Sequence, residues 1–85
     1  MKKIIETTDV SGMESLLGER ITVFCCRYIY TGKLISVSED SIEIEDCGIV
    51  FETGELTTKE WKDYQKLPNN WHISLQSIES FGVLK

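Results

Sequence analysis

The sequence predicts a mainly β protein: a small, strongly bent five-stranded antiparallel sheet curled into an open barrel. A short N-terminal helix precedes it, and a short helix lies in a long insertion, about residues 54–70, before the last two strands. Three observations predict this class. Apolar and polar residues alternate with a period of two through most of the chain after Arg20, as half-buried strands require. Gly32 and Gly48 stand inside strand-like runs, where a sheet that must bend needs them. The chain has 85 residues, which suits one domain over 1–85 and leaves too little for a two-sheet sandwich.

The elements follow in order. Ser11 and Glu14 have the spacing of a capping box, and Gly18 suits the residue just past a helix end, so 11–18 reads as a helix of about two turns. Met13, Leu16 and Leu17 fall on one face of it. Ile21, Val23 and Cys25 alternate with Thr22, Phe24 and Cys26 as a first strand. Tyr30 to Val37 is a second, with a bend or bulge expected at Gly32. Ser38–Ser41 is a polar turn. Ile42-Glu43-Ile44-Glu45 places apolar residues inward and acids outward, as in a half-solvated antiparallel strand. The apolar phase then moves from even to odd positions at Ile49 and Phe51, which predicts a bulge or a tight turn at Gly48. Thr57 and Glu60 form a second possible capping box. Trp61, Tyr64 and Leu67 recur every three residues up to Pro68, which predicts the insertion helix. After Asn69 and Asn70, Trp71, Ile73 and Leu75 alternate with His72, Ser74 and Gln76, and Ile78, Phe81 and Val83 suggest the last strand.

Composition narrows the function. Fourteen acids against nine bases give a net charge of −5, which argues against holding nucleic acid by bulk electrostatics. No stretch is apolar enough for a membrane span, and the opening residues lack the apolar run of a signal peptide, so the chain reads as cytoplasmic. A chain this short gains from disulfides, a metal or partner subunits. Three cysteines, two of them adjacent, make no disulfide framework. Cys25, Cys26, Cys47 and His72 lack paired metal-ligand spacing, and nothing points to a cofactor. Partner subunits remain.

The run Leu17-Gly18-Glu19-Arg20-Ile21-Thr22-Val23, with Gly32-Lys33-Leu34-Ile35-Ser36-Val37-Ser38-Glu39-Asp40-Ser41-Ile42, resembles the first motif of the Sm-like (Sm/LSm/Hfq) superfamily. Ile73-Ser74-Leu75-Gln76-Ser77-Ile78-Glu79-Ser80-Phe81-Gly82 occupies the place of its second motif. Over nearly the whole chain, Tyr28-Ile29-Tyr30-Thr31-Gly32-Lys33-Leu34 and Ile49-Val50-Phe51-Glu52-Thr53-Gly54 are also similar to an uncharacterised family of short proteins from tailed phages (cyanophage-like) and marine metagenomes. A phage origin would place the chain in the host cytoplasm. The superfamily likeness implies a helix followed by a five-stranded, SH3-like bent barrel, and a homo-oligomeric ring of roughly five to seven copies. It also implies RNA around the pore. Ser38 and Ser41 stand where the superfamily carries Asp and Asn, and Gln76-Ser77 replaces its Arg-Gly pair, so the likeness carries fold and ring further than nucleic-acid binding.

Ring formation has its own physical argument, because an open barrel leaves strand edges that a soluble protein must pair or cover. The alternative is a monomer whose edges the 54–70 insertion shields. For nucleic acid the candidates are Arg27, Tyr28, Tyr30 and Lys33, two bases flanking two aromatics, which suits phosphate contact with base stacking. Ser38, Ser41, Gln76 and Ser77 are the candidate pore residues. The bland alternative is that the tyrosines cap the barrel. Glu39 and Asp40 would repel phosphate, and seven acids with no base run from Glu39 to Glu55, read as a solvated outer face or a docking surface. Trp61, Tyr64 and Trp71 either pack the insertion on the barrel or form a protein contact. The single histidine, His72, has no nucleophile at a telling spacing, so no enzyme is expected. The leading expectation is a ring that binds single-stranded RNA or DNA. The alternative is a structural or protein-interaction ring module of a phage.

Overall fold

A computed structural model describes residues 12–85. It contains six antiparallel strands: β1 (Arg20–Cys25), β2 (Ile29–Val37), β3 (Ser41–Glu52), β4 (Asp63–Lys66), β5 (Trp71–Ser74) and β6 (Ile78–Gly82). A three-residue 3₁₀ turn, Leu75–Ser77, joins the last two. They form one sheet in the order β4-β3-β2-β1-β6, and β5 pairs with the other half of the β3 edge that β4 occupies. The sheet must bend strongly. Laid flat, β5 and β6 would stand four strand spacings apart, roughly 19 Å. A three-residue 3₁₀ turn rises only about 6 Å.

Residues 12–14 are helical and 15–18 continue as turns. The predicted cap at Ser11 lies outside the described residues. Gly18 ends the segment with φ +90°, a left-handed conformation that costs glycine nothing. Its N–H then bonds to the Leu34 carbonyl at 2.8 Å, which ties the turn to β2. Met13 is buried and Leu16 packs against the core, but Leu17, predicted on the same face, points outward at 47% exposure. The tightening of this segment into bonds three residues apart, Leu16 to Met13 and Leu17 to Glu14, turns Leu17 away from the sheet.

The core is Ile21, Val23, Leu34, Ile42, Ile44, Cys47 and Ile73 with Met13. Two of the predicted irregularities are one feature. Thr31 pairs with Gly48 and Lys33 with Glu45, so Gly32 alone faces both Asp46 and Cys47, the two-against-one pattern of a β-bulge. Asp46 takes the left-handed conformation at φ +48°. The phase change near Gly48 is therefore a bulge within one continuous strand and not a hairpin turn.

The insertion corrects the prediction. No helix forms at 57–67; residues 56–57 make a turn and Asp63–Lys66 form β4, giving six strands where five were expected. The Thr58 hydroxyl bonds back to the Glu55 carbonyl at 2.9 Å, so it closes a turn and does not open a helix. The deciding force is non-local. The second half of β3 has an outer edge whose N–H and C=O groups need partners, and β4 supplies them along Gly48–Glu52.

Candidate nucleic-acid interface

The β1–β2 hairpin end and the β5–3₁₀ segment meet at a groove of about 390 Å³. Its walls carry Arg27, Tyr28 and Tyr30 from the first and His72, Ser74 and Ser77 from the second, with Cys25, Cys26 and Ile73. Of the predicted residues, Arg27, Tyr28, Tyr30 and Ser77 are thus brought together, although Ser77 is 47 positions from Tyr30. The bend of the sheet makes this possible, because it carries β5 and β6 round to the end of β1.

Tyr28 extends the groove across the surface. Its ring centroid lies 6.3 Å from that of Tyr30 and 6.4 Å from that of Phe51, both edge-on. Tyr28 is 45% exposed and Phe51 49%. A second bulge aims Phe51: Val50 pairs with Tyr64 and Glu52 with Asp63, which leaves Phe51 as the extra residue. Tyr28 and Phe51 present exposed rings beside the groove, the arrangement on which bases stack, while Tyr30 is half-buried and packs against the core. Sequence reasoning missed Phe51. Its phase after Gly48 assigns it to the core-facing side, and only the second bulge at the strand end takes it out.

Charge is distributed unevenly. Among the described residues Arg27 enters no ion pair, whereas Arg20 lies 3.3 Å from Asp46 and Lys33 lies 4.0 Å from Glu45. Lys66 also hydrogen-bonds Asp46. The Lys66 hydrogen bond first, then the charges of Lys66 and Arg20, hold the Asp46 carboxyl below the usual carboxylate range, and the hydrogen bond to Asp46 raises Lys66 in turn. Lys33, predicted beside the tyrosines, is not among the residues lining the groove. Five of the seven acids between Glu39 and Glu55 have partners: Asp40 accepts from the Ser38 hydroxyl at 3.3 Å, Glu43 accepts from Asn70 at 3.1 Å, and Glu45, Asp46 and Glu52 pair with cations. Burial raises the thiol of Cys25 and the hydroxyl of Tyr30, so both are protonated and neutral near pH 7.

The four candidate pore residues form a second, adjoining cluster. The Leu75 N–H bonds to the Asp40 carbonyl at 2.9 Å and Ser41 pairs with Ser74, which sets the β2–β3 turn against the 3₁₀ turn that carries Gln76 and Ser77. The Ser38 hydroxyl donates to the Ser41 carbonyl at 3.0 Å, and its oxygen accepts from the Ser41 N–H at 3.3 Å. Its bonding is therefore used largely inside the turn. Gln76 is exposed.

Trp61, Tyr64 and Trp71 are placed separately. Tyr64 lies over Gly48, where an added Cβ would come within 2.5 Å of its ring, and Trp71 begins β5 at 39% exposure. Among the described residues no aromatic pair links the three. His72, which faces Glu43 at 3.8 Å, and Ser74 are groove residues that sequence reasoning did not select. Their outward position on β5 was the available signal, but what they face depends on the bend. Among the described residues no group of three or more His, Cys, Asp or Glu side chains is placed to hold a metal ion, and no helix is long and apolar enough to cross a membrane. The chain matches no protein-family model and no curated protein.

Proposed function

We propose that this chain is a non-enzymatic, Sm-like barrel protein of phage type that assembles edge to edge into a homo-oligomeric ring and binds single-stranded RNA or DNA weakly. The observation that carries the binding reading is the cluster of Tyr30, Tyr28 and Phe51 beside Arg27, which pairs with no acid among the described residues. One guanidinium per copy without an acid partner among the described residues, beside two exposed rings, favours recognition by stacking with a small electrostatic contribution. The tie between the β2–β3 turn and the 3₁₀ turn supports a second contact at Gln76 and Ser77. The barrel reading rests on the short link between β5 and β6, and the ring reading on the outer edges of β4 and β6, which among the described residues end the strand order without a further partner.

Titration of labelled oligo-U and oligo-A at two salt concentrations tests the binding. Affinity should fall only shallowly with salt, since few phosphates are neutralised. Absence of binding at low salt sinks this reading. The pairing of Arg20 and Lys33 with acids favours the second reading, a structural or protein-interaction ring, in which Trp61, Tyr64 or Trp71 contacts a partner protein. Mass measured in solution tests the ring separately; a monomer refutes it.

A further inference from the structure

The loop between β3 and β4 grips a lysine from the far side of the sheet. Lys85 Nζ donates to the backbone carbonyls of Thr53 at 2.8 Å, Glu55 at 2.9 Å and Glu60 at 2.7 Å. It also stands 4.4 Å from the centroid of the Trp61 ring. A primary ammonium has three N–H donors and no acceptor, so three convergent carbonyls satisfy it completely. The indole face adds a cation–π contact.

The carbonyls are held in place by the loop itself. Gly54, at φ +71°, reverses the chain between Thr53 and Glu55, and their two carbonyls meet at one ammonium. A side chain at Gly54 would be strained at that φ, and its Cβ would come within 3.2 Å of Lys62 Cβ. Thr58 fixes the other side, its hydroxyl donating to Glu55 at 2.9 Å with a longer contact to Glu60 at 3.3 Å. Glu55, Glu60 and Trp61 also line an open depression, so a group can reach the loop from solvent.

Lys85 arrives by an unusual path. It follows β6, which lies beyond β1, while Thr53 follows β3. β6 and β3 are three strand spacings apart, roughly 14 Å. Three residues reach about 10 Å and a lysine stem supplies the rest. Val83 and Leu84 share a depression with Thr22 and Phe24 of β1, which places the segment on the way.

We propose that residues 53–61 form a recognition site for a primary alkylammonium group, filled by Lys85, and that residues 83–85 thereby strap the β3–β4 loop across the sheet. The site selects its ligand by donor count. Arginine presents a planar five-donor fork that three carbonyls arranged around one nitrogen do not match, and a quaternary ammonium has no N–H to give.

Lys85→Met, which keeps most of the stem and removes charge and donors, should lower Tm by roughly 5 °C. In Lys85→Ala, n-butylammonium should raise Tm and saturably shift the Trp61 indole resonance, while tetramethylammonium at equal ionic strength does neither. In the unsubstituted protein, excess n-butylammonium should compete with Lys85 and move the Trp61 indole and Gly54 amide resonances, so the site is measurable even if a variant folds poorly. The proposal is overturned if Lys85→Met leaves Tm and the Trp61 resonance unchanged, or if n-butylammonium and tetramethylammonium act alike.

Discussion

The two halves of β3 are one strand with two occupations. Before Asp46, Ile42 and Ile44 are buried in the core and β5 covers the edge. After it, the alternate positions pass from a buried Cys47 through a half-buried Ile49 to a largely exposed Phe51, Val50 is buried outside the main cluster, and β4 covers the edge. The change is made by two inserted residues, Asp46 and Phe51, each the extra member of a bulge. Bulges bend a strand and re-aim its side chains without ending its pairing. One continuous strand therefore builds the core at one end and presents an aromatic ring to solvent at the other.

The strongest way to break this contrast is to truncate one apolar residue on each side of it. Ile44→Ala removes a side chain with no solvent exposure from the main cluster and should cost about 3 kcal/mol. Phe51→Ala should cost less than about 1 kcal/mol, since half of that side chain is already in water. Urea denaturation measures both. Equal costs would show that the second half of β3 is as much a part of the core as the first.

Gly32→Ala tests the hinge between the halves. A Cβ there would meet Cys47 Cβ at 2.5 Å, with Cys47 Cα and the Glu45 carbonyl oxygen at 3.1 Å. None of these is the free end of a flexible side chain, so the bulge must open. We expect a loss of about 2 kcal/mol and altered amide resonances for residues 45–48. A neutral substitution would mean that the two-against-one pairing is looser than the close approach implies.

These expectations also mark what the sequence alone could convey. The alternation in β1, in the start of β3 and in β5 was legible because each of those strands has one face toward the core. The phase change beside Gly48 announced an irregularity, although choosing between bulge and turn needed the partner strand. β4 was illegible. Asp-Tyr-Gln-Lys offers one apolar residue in four, and Trp61, Tyr64 and Leu67 imitate a helical repeat. What makes the segment a strand is an edge of β3 that no local pattern records. The candidate site divides in the same way. Arg27, Tyr28 and Tyr30 are neighbours in sequence and could be found there, whereas His72 and Ser74 reach the site only through the bend of the sheet, and Phe51 through the β2–β3 register that sets Val50 opposite Ile29 and through the second bulge.

The functional side of the contrast is sharper in binding than in stability. If the row of rings stacks on bases, Tyr28→Ala should weaken oligo-U binding most, because Tyr28 stands between the other two rings, and Phe51→Ala should weaken it roughly tenfold. That corresponds to about 1.4 kcal/mol, near the lower end for one stacked base. Fluorescence anisotropy with each variant decides it. If Phe51→Ala binds like the unsubstituted protein, the platform ends at Tyr28, and the second bulge has no role in binding.

The smallest effect concerns the residue that divides β3. Asp46 combines a left-handed backbone with a carboxylate shared by Arg20 and Lys66, and the two roles separate by substitution. Asparagine tolerates that conformation, so Asp46→Asn keeps the bulge and removes the charge. These partners are well exposed, and exposed pairs contribute little in water, so the stability change at neutral pH should be slight. Its signature lies in the pH dependence. Lys66, by hydrogen bond and charge, and then Arg20 lower the folded carboxyl below its ordinary value of 3.8. Stability from a group shifted in this direction is fully present above the unfolded value and is lost as pH falls through the folded one. The unsubstituted protein should therefore lose stability below about pH 4 more steeply than Asp46→Asn. Asp46→Val, which keeps neither role, should destabilise at every pH, since a β-branched residue resists the left-handed region. Identical acid limbs for the unsubstituted protein and Asp46→Asn would leave Asp46 a backbone role alone.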